Sequence, residues 1–166
     1  MSGTIFGACL YYDDGSVMHA GIYFEPEIGI GADARARTAL RVEHYAKCSP
    51  SWAPEARRTR IVPAVTGAFM SVDRVHFERL DGFDEDYVFG SYEDADLCLR
   101  SATLGRPVWY CEAVRLWHME GKGSDRRGPH SGALALNKWQ FARKWVPSVA
   151  SSDRVDGSAR NAPRGA

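Results

Sequence analysis

The chain has 166 residues, 45% of them hydrophobic and 25% charged, with 21 basic and 21 acidic side chains and a formal net charge of zero. That is the length of one domain with enough apolar content to bury a core, which excludes general disorder. Zero net charge excludes a global pull toward nucleic acid or acidic membranes.

Four cysteines, Cys9, Cys48, Cys98 and Cys111, form no Cys-x-x-Cys pair. A zinc site is therefore not expected, and a reducing compartment is the natural setting. No apolar run reaches the ~20 residues of a spanning helix. The N-terminus lacks a basic stretch followed by a long apolar one. The expectation is a cytoplasmic chain with no transmembrane segment and no nucleic-acid partner.

In chain order, the first element is a predicted β-hairpin. Two apolar runs, IFGACLYY and SVMHAGIYF, flank Asp14-Gly15. An Asp-Gly pair supplies the positive φ angles of a tight turn. The turn explains Asp13-Asp14 without a metal. Residues 25–60 read as irregular, with a short helix from Asp33 to about Tyr45. Ile61–Val65 is a predicted strand. Thr66-Gly67-Ala68 is a small-residue passage where a backbone approaches a ligand or another strand closely. Phe69–Val72 is a second short strand. Asp73 caps a short helix with Val75, Phe77 and Leu80 as its apolar side. Gly82 ends it.

Ser91 opens the next predicted helix, with Glu93, Asp94 and Asp96 in its first turns. Leu97, Ser101 and Leu104 share a face by spacing, and Gly105 closes it. A strand, VWYCEAVRLW, follows Pro107, with Trp109 and Trp117 expected in the core. HMEGKGSDRRGPHSG is a polar loop. Ser131 caps a final helix that Pro147 stops, and residues 148–166 read as a disordered tail. Strands and helices mix without regular alternation, so the fold class is mixed α/β over residues 1–147.

Chemistry concentrates in two places. The first is Asp84, Glu85, Asp86, Glu93, Asp94 and Asp96, interleaved with Phe83, Tyr87, Phe89 and Tyr92. Ser91-x-x-Asp94 matches a capping box, and anions suit the positive end of a helix. The same composition suits a sugar: rings stack on its C–H face while carboxylates accept its hydroxyls. A carboxylate facing a cleft can also take a proton from a hydroxyl. Both readings stand at this point. The second place is His118, which follows a strand and precedes Lys122, Arg126 and Arg127. An imidazole there can hold a divalent metal or a diphosphate oxygen, or be an ordinary hydrogen-bonded residue. His19, His44, His76 and His130 share no metal-ligand spacing. Gly-x-Ser-x-Gly and Walker motifs are absent.

The run from Thr66 to Ser124 resembles the C-terminal part of family-two glycosyltransferases with a GT-A fold. The motifs are TGAFM from Thr66, DGFDED from Asp81, YEDADLCLR from Tyr92 and WHMEGKGS from Trp117. The earlier YYDDGSVMHAGIYF resembles the hairpin after the nucleotide-sugar site. The resemblance covers roughly residues 5–125.

It implies a partial GT-A mixed sheet with flanking helices. It also implies inverting transfer of a sugar from a nucleoside-diphosphate donor to a hydroxyl of a saccharide or lipid-linked acceptor. Asp94 would be the general base. Glu93 and Asp96 would support the helix start or contact the acceptor, beside Tyr92. Thr66, Gly67 and Ala68 would line the sugar pocket. His118 would help hold a divalent metal, Mg or Mn, or the diphosphate. Cell-wall or polysaccharide assembly is the family-level setting, with attachment at the inner face of the membrane through a partner. The family places a nucleotide-binding half and an Asp-x-Asp motif before this region, and this chain shows neither. Either the chain is a truncated or split product, or a partner chain supplies that half; a non-catalytic saccharide-binding module and an inactive remnant are the alternative functions. Missing strands would leave a sheet edge exposed.

Overall fold

A computed structural model describes residues 4–30, 36–119 and 129–152. The expected loop at Lys122, Arg126 and Arg127 lies outside these residues. Within them the chain is mixed α/β.

The first hairpin forms as expected. β1 (Ile5–Tyr11) pairs antiparallel with β2 (Val17–His19). Gly15 takes φ 80°, and its N–H donates to Tyr12 O at 3.0 Å. The second apolar run does not continue as one strand. It breaks at Gly21, whose φ is 97°, and β3 (Ile22–Ile30) leaves for another sheet.

Residues 25–60 are only partly irregular: turns and one short 3-10 helix (Pro54–Arg57) occupy 45–59, but the described residues before them are strand. β3 pairs along its whole length with β4 (Ala36–His44). The helix expected over Asp33–Tyr45 is this strand, with Asp33 outside the described residues. Pairing puts alternate residues on opposite faces. Phe24 sits opposite Val42 and packs against the core, while Arg41 pairs with Glu25 on the outer face. Those partners lie some 16 to 18 residues apart in the chain, so a local pattern does not reveal them.

β5 (Arg60–Val62), β6 (Met70–Val72) and β7 (Val108–Trp117) complete the main sheet. Its order is β2-β1-β7-β5, with β6 also on β1. β7 runs parallel to β1, so the early hairpin and the late strand form the centre of one sheet. The register jumps from Ala8↔Cys111 to Cys9↔Arg115. β1 is thus covered on both sides, and β2, β6 and β5 are the outer strands. Ile22 N–H donates to Ala64 O at 2.8 Å, tying the second sheet to the main one.

Asp73 caps α1 (Arg74–Arg79) as expected, accepting His76 N–H at 3.0 Å. Of its expected apolar side, Leu80 is buried and Phe77 packs against the core, but Val75 is 72% exposed and His76 is buried instead. Helix α2 (Glu93–Thr103) has no Ser91 cap. Tyr92 is the residue before it, in the left-handed region, and the Asp94 side chain turns elsewhere. Leu97 and Ser101 are buried, but Leu104 is exposed beyond the helix end. Trp109 is half-buried and Trp117 is 71% exposed, so Trp117 is not a core residue.

Helix α3 (Pro129–Ser152) starts before Ser131 and passes through Pro147. Ser131 is therefore inside the helix, and Pro147 does not stop it. Residues 148–152 of the expected tail are helical, and 153–166 lie outside the described residues. Ala133, Asn137, Phe141 and Trp145 recur at i+4 and are all buried. Phe141 stacks 5.5 Å from Phe24 and 5.2 Å from Tyr92, joining α3 to the second sheet and to the start of α2. Among the described residues, no helix is long and apolar enough to cross a membrane.

Candidate functional site

The structure joins two of the expected segments. Gly67 N–H donates to Asp94 Oδ2 at 2.8 Å, so the Thr66–Ala68 passage lies against the start of α2. Val65 is fully buried beneath Gly7, where an added Cβ would sit 2.5 Å from the valine side chain. That close approach anchors the passage to β1. Ala68 N–H donates to Thr66 Oγ1 at 3.3 Å, which keeps the turn small. A Cβ on Gly67 would meet Asp94 Cβ at 3.4 Å. Gly67 and Ala68 are exposed, and Thr66 and Asp94 are half-buried.

Asp94 also accepts Ala95 N–H on Oδ1 at 2.7 Å. Both oxygens therefore hold a backbone donor, which fixes the carboxylate at the first turn of α2. Glu93 behaves differently. Its Oε2 is buried with no hydrogen-bond partner. Burial, then the charge of Asp94, raises its pKa above the ordinary value.

Asp96 does not face a ligand. It is fully buried and takes Arg100 Nε at 2.7 Å, Lys144 Nζ at 2.8 Å and Trp145 Nε1 at 2.8 Å. Arg100 also donates to the carbonyls of Leu80 and Gly82. Asp96 is consequently a fastener between α2, α3 and the turn after α1. Asp94 and Asp96 point to different neighbours because 200° of helix separates them.

The backbone before α2 is strained. Phe89, Gly90, Ser91 and Tyr92 all have positive φ, between 56° and 80°. Such a run costs of order 1–3 kcal/mol per non-glycine residue and persists only when the surroundings hold it. Asn137, fully buried, holds it: Oδ1 accepts Val88 N–H at 3.0 Å, and Nδ2 donates to Val88 O, Gly90 O and Ser91 O. Sequence reading missed Asn137. A polar residue within an otherwise apolar i+4 stripe is the signal that points to it.

Of the four aromatic residues interleaved with the acids, Tyr87 is buried in the core and Tyr92 packs on Phe141. Phe83 and Phe89 are exposed. Phe83 lines a cavity of about 650 Å³ with Leu80, Asp81, Asp84, Glu85, Arg100 and Lys144. Asp94 does not line it. The cations in that wall are already bonded, Lys144 to Asp84 at 2.9 Å and Arg100 as above.

His118 stands just beyond β7, half-exposed, with its backbone N–H on Tyr11 O at 2.9 Å. Residues 120–128, which follow it, lie outside the described part. Among the described residues, no group of three or more His, Cys, Asp or Glu side chains is placed to hold a metal ion. His118 therefore brings one metal ligand and no companions from this set.

No family model matches the chain. The uncharacterized protein y4gI of Sinorhizobium fredii is 29% identical over 114 residues, covering 69% of this chain. The chain spans only 12% of that relative's length. Among solved structures, the crystal structure of GalNAc-T7 with UDP, GalNAc and Mn2+ aligns over 99% of this chain and 30% of that one, at 13% identity and a TM-score of 0.48. Neither comparison assigns this chain to a family.

Proposed function

We propose that this chain is the acceptor-side part of an inverting glycosyltransferase acting with a nucleoside-diphosphate sugar. The hydrogen bond from Gly67 N–H to Asp94 Oδ2 carries the reading. It brings together two motifs, TGAFM and YEDADLCLR, that are 27 residues apart at this contact and that the resemblance places in one site. In this reading Asp94 accepts the proton of the acceptor hydroxyl as its oxygen bonds to the anomeric carbon. The bond from that carbon to the diphosphate breaks, and its electron pair leaves with the diphosphate. Thr66, Gly67 and Ala68 present backbone to the sugar. Glu93 and Tyr92 shape the start of α2.

In this reading His118 would be one ligand of a divalent cation. Such a cation supplies charge neutralisation at the departing diphosphate. Asp96 has no part in binding in this reading, because its carboxylate is fully buried, unlike that of Asp94, and is filled by side-chain donors.

The test is sugar transfer and donor hydrolysis across a panel of nucleoside-diphosphate sugars, wild type against Asp94→Asn. The expected loss is at least about 100-fold, the lower end of general-base contributions. Equal turnover in the two proteins would remove Asp94 from the role. Saccharide binding without transfer would instead make the chain a non-catalytic module.

A further inference from the structure

His19 is fully buried and lies against the passage that holds Asp94. Its Nδ1 is 3.0 Å from His44 Nδ1, with the two rings edge-to-face at 4.8 Å. Gly21 N–H donates to His19 Nε2 at 3.2 Å, and Thr66 N–H points to the same atom at 3.5 Å. These contacts decide the tautomer. Nε2 faces two donors, so it must offer its lone pair. The proton of the neutral ring is then on Nδ1, and it donates to His44 Nδ1.

We propose that His19 is a positioning residue for Asp94, and that one further proton on the neutral His19–His44 pair releases the Thr66–Gly67 passage it holds. The inference rests on the glycosyltransferase reading for its functional meaning, but its geometry does not. The path is short. His19 Nε2 takes Gly21 N–H at 3.2 Å and faces Thr66 N–H at 3.5 Å, the next backbone N–H belongs to Gly67, and that group donates to Asp94 Oδ2 at 2.8 Å. Among the three nitrogens in these contacts no lone pair is free. A proton from water added at His19 Nε2 meets the Gly21 and Thr66 donors. One added at His44 Nδ1 meets the His19 N–H. Either addition breaks a hydrogen bond of the pair.

The groups facing His19 resist that proton. His44 on β4 and Arg60 on β5 are its charged or chargeable neighbours, and the Tyr110 ring on β7 is edge-on at 6.5 Å. Arg60 is fixed there by Ala20 O at 2.7 Å and by the rings of Tyr45 and Tyr110. Burial, then the charges of His44 and Arg60, holds His19 neutral well below the ordinary histidine range. The passage is therefore secured at neutral pH and loosened only in acid.

The experiment is nitrogen-15 NMR of the labelled chain from pH 8 down to about pH 3. At pH 8 the His19 ring should show a protonated Nδ1 and a bare Nε2. On acidification the amide signals of Thr66 and Gly67 should shift together with the ring nitrogens of the pair. His19→Gln keeps an acceptor for the Gly21 and Thr66 N–H groups but does not titrate. In that variant the two amide signals should stay near their wild-type positions and lose their pH dependence. Where transfer is measurable, its acid limb should flatten in the same variant. A protonated Nε2 at pH 8, or Thr66 and Gly67 signals that ignore the histidine titration, would overturn the proposal. The NMR result stands whether or not the chain transfers sugar, so failure of the glycosyltransferase reading is told apart from failure of this one.

Discussion

The side-chain amide of Asn137 on α3 sits 2.9 Å from the carbonyl of Gly90, in the middle of four consecutive residues with positive φ. This contact joins a helix near the end of the described chain to the turn that aims Glu93 and Asp94. It makes the carboxylate pair depend on α3.

Asn137→Asp should destabilise the fold by about 3 kcal/mol, because it replaces a buried donor of three hydrogen bonds with an acceptor facing three carbonyls. Urea unfolding measures this directly. A change under about 0.5 kcal/mol would show that the turn holds itself.

Asp96→Asn should also cost about 3 kcal/mol, since it leaves Arg100 and Lys144 without their shared buried counter-charge. Saccharide affinity, measured on the folded fraction, should not change. Lost affinity in a fully folded variant would return Asp96 to the binding surface.

Gly21→Ala should cost about 2 to 3 kcal/mol. The residue has φ 97°, and an added Cβ would lie 2.7 Å from Val62 Cγ1. Thermal unfolding checks it. Wild-type stability would mean that the break between β2 and β3 tolerates a side chain.

Stability should fall as pH drops below 6.5. His19 has an ordinary value of 6.5 when unfolded and a much lower one when folded, through burial first and then the charges of His44 and Arg60. The unfolded chain binds more protons in that window, so its contribution is complete above 6.5 and is lost as pH falls toward the folded value. His76 acts in the same direction, through burial and then Arg106 and Arg79. His19→Gln should thus flatten the slope between pH 6.5 and pH 5 without abolishing it. An unchanged slope would place the titrating group elsewhere.

Glu93→Gln should raise stability at pH 7. The raised pKa of Glu93 means that its neutral form suits the fold, with that benefit present below 4.5 and lost as pH rises through the folded value. The amide is neutral throughout. A lower unfolding midpoint for this variant would show that the carboxylate has an attractive partner.

The amino-acid sequence by itself determined what neighbours within one turn can specify. The Asp14-Gly15 turn, the Asp73 cap and the α2 helix were all legible. Each depends on contacts a few residues apart. Tertiary structure alone decided the rest. It made residues 36–44 a strand, because register with β3 outweighs local propensity. It set β7 beside β1, and it divided Asp94 from Asp96 by what α3 and the Thr66–Gly67 passage bring to each face of α2. It also gave His19 and Asn137 their places. Burial and hydrogen-bond partners come from segments distant in the chain, and no local pattern contains them.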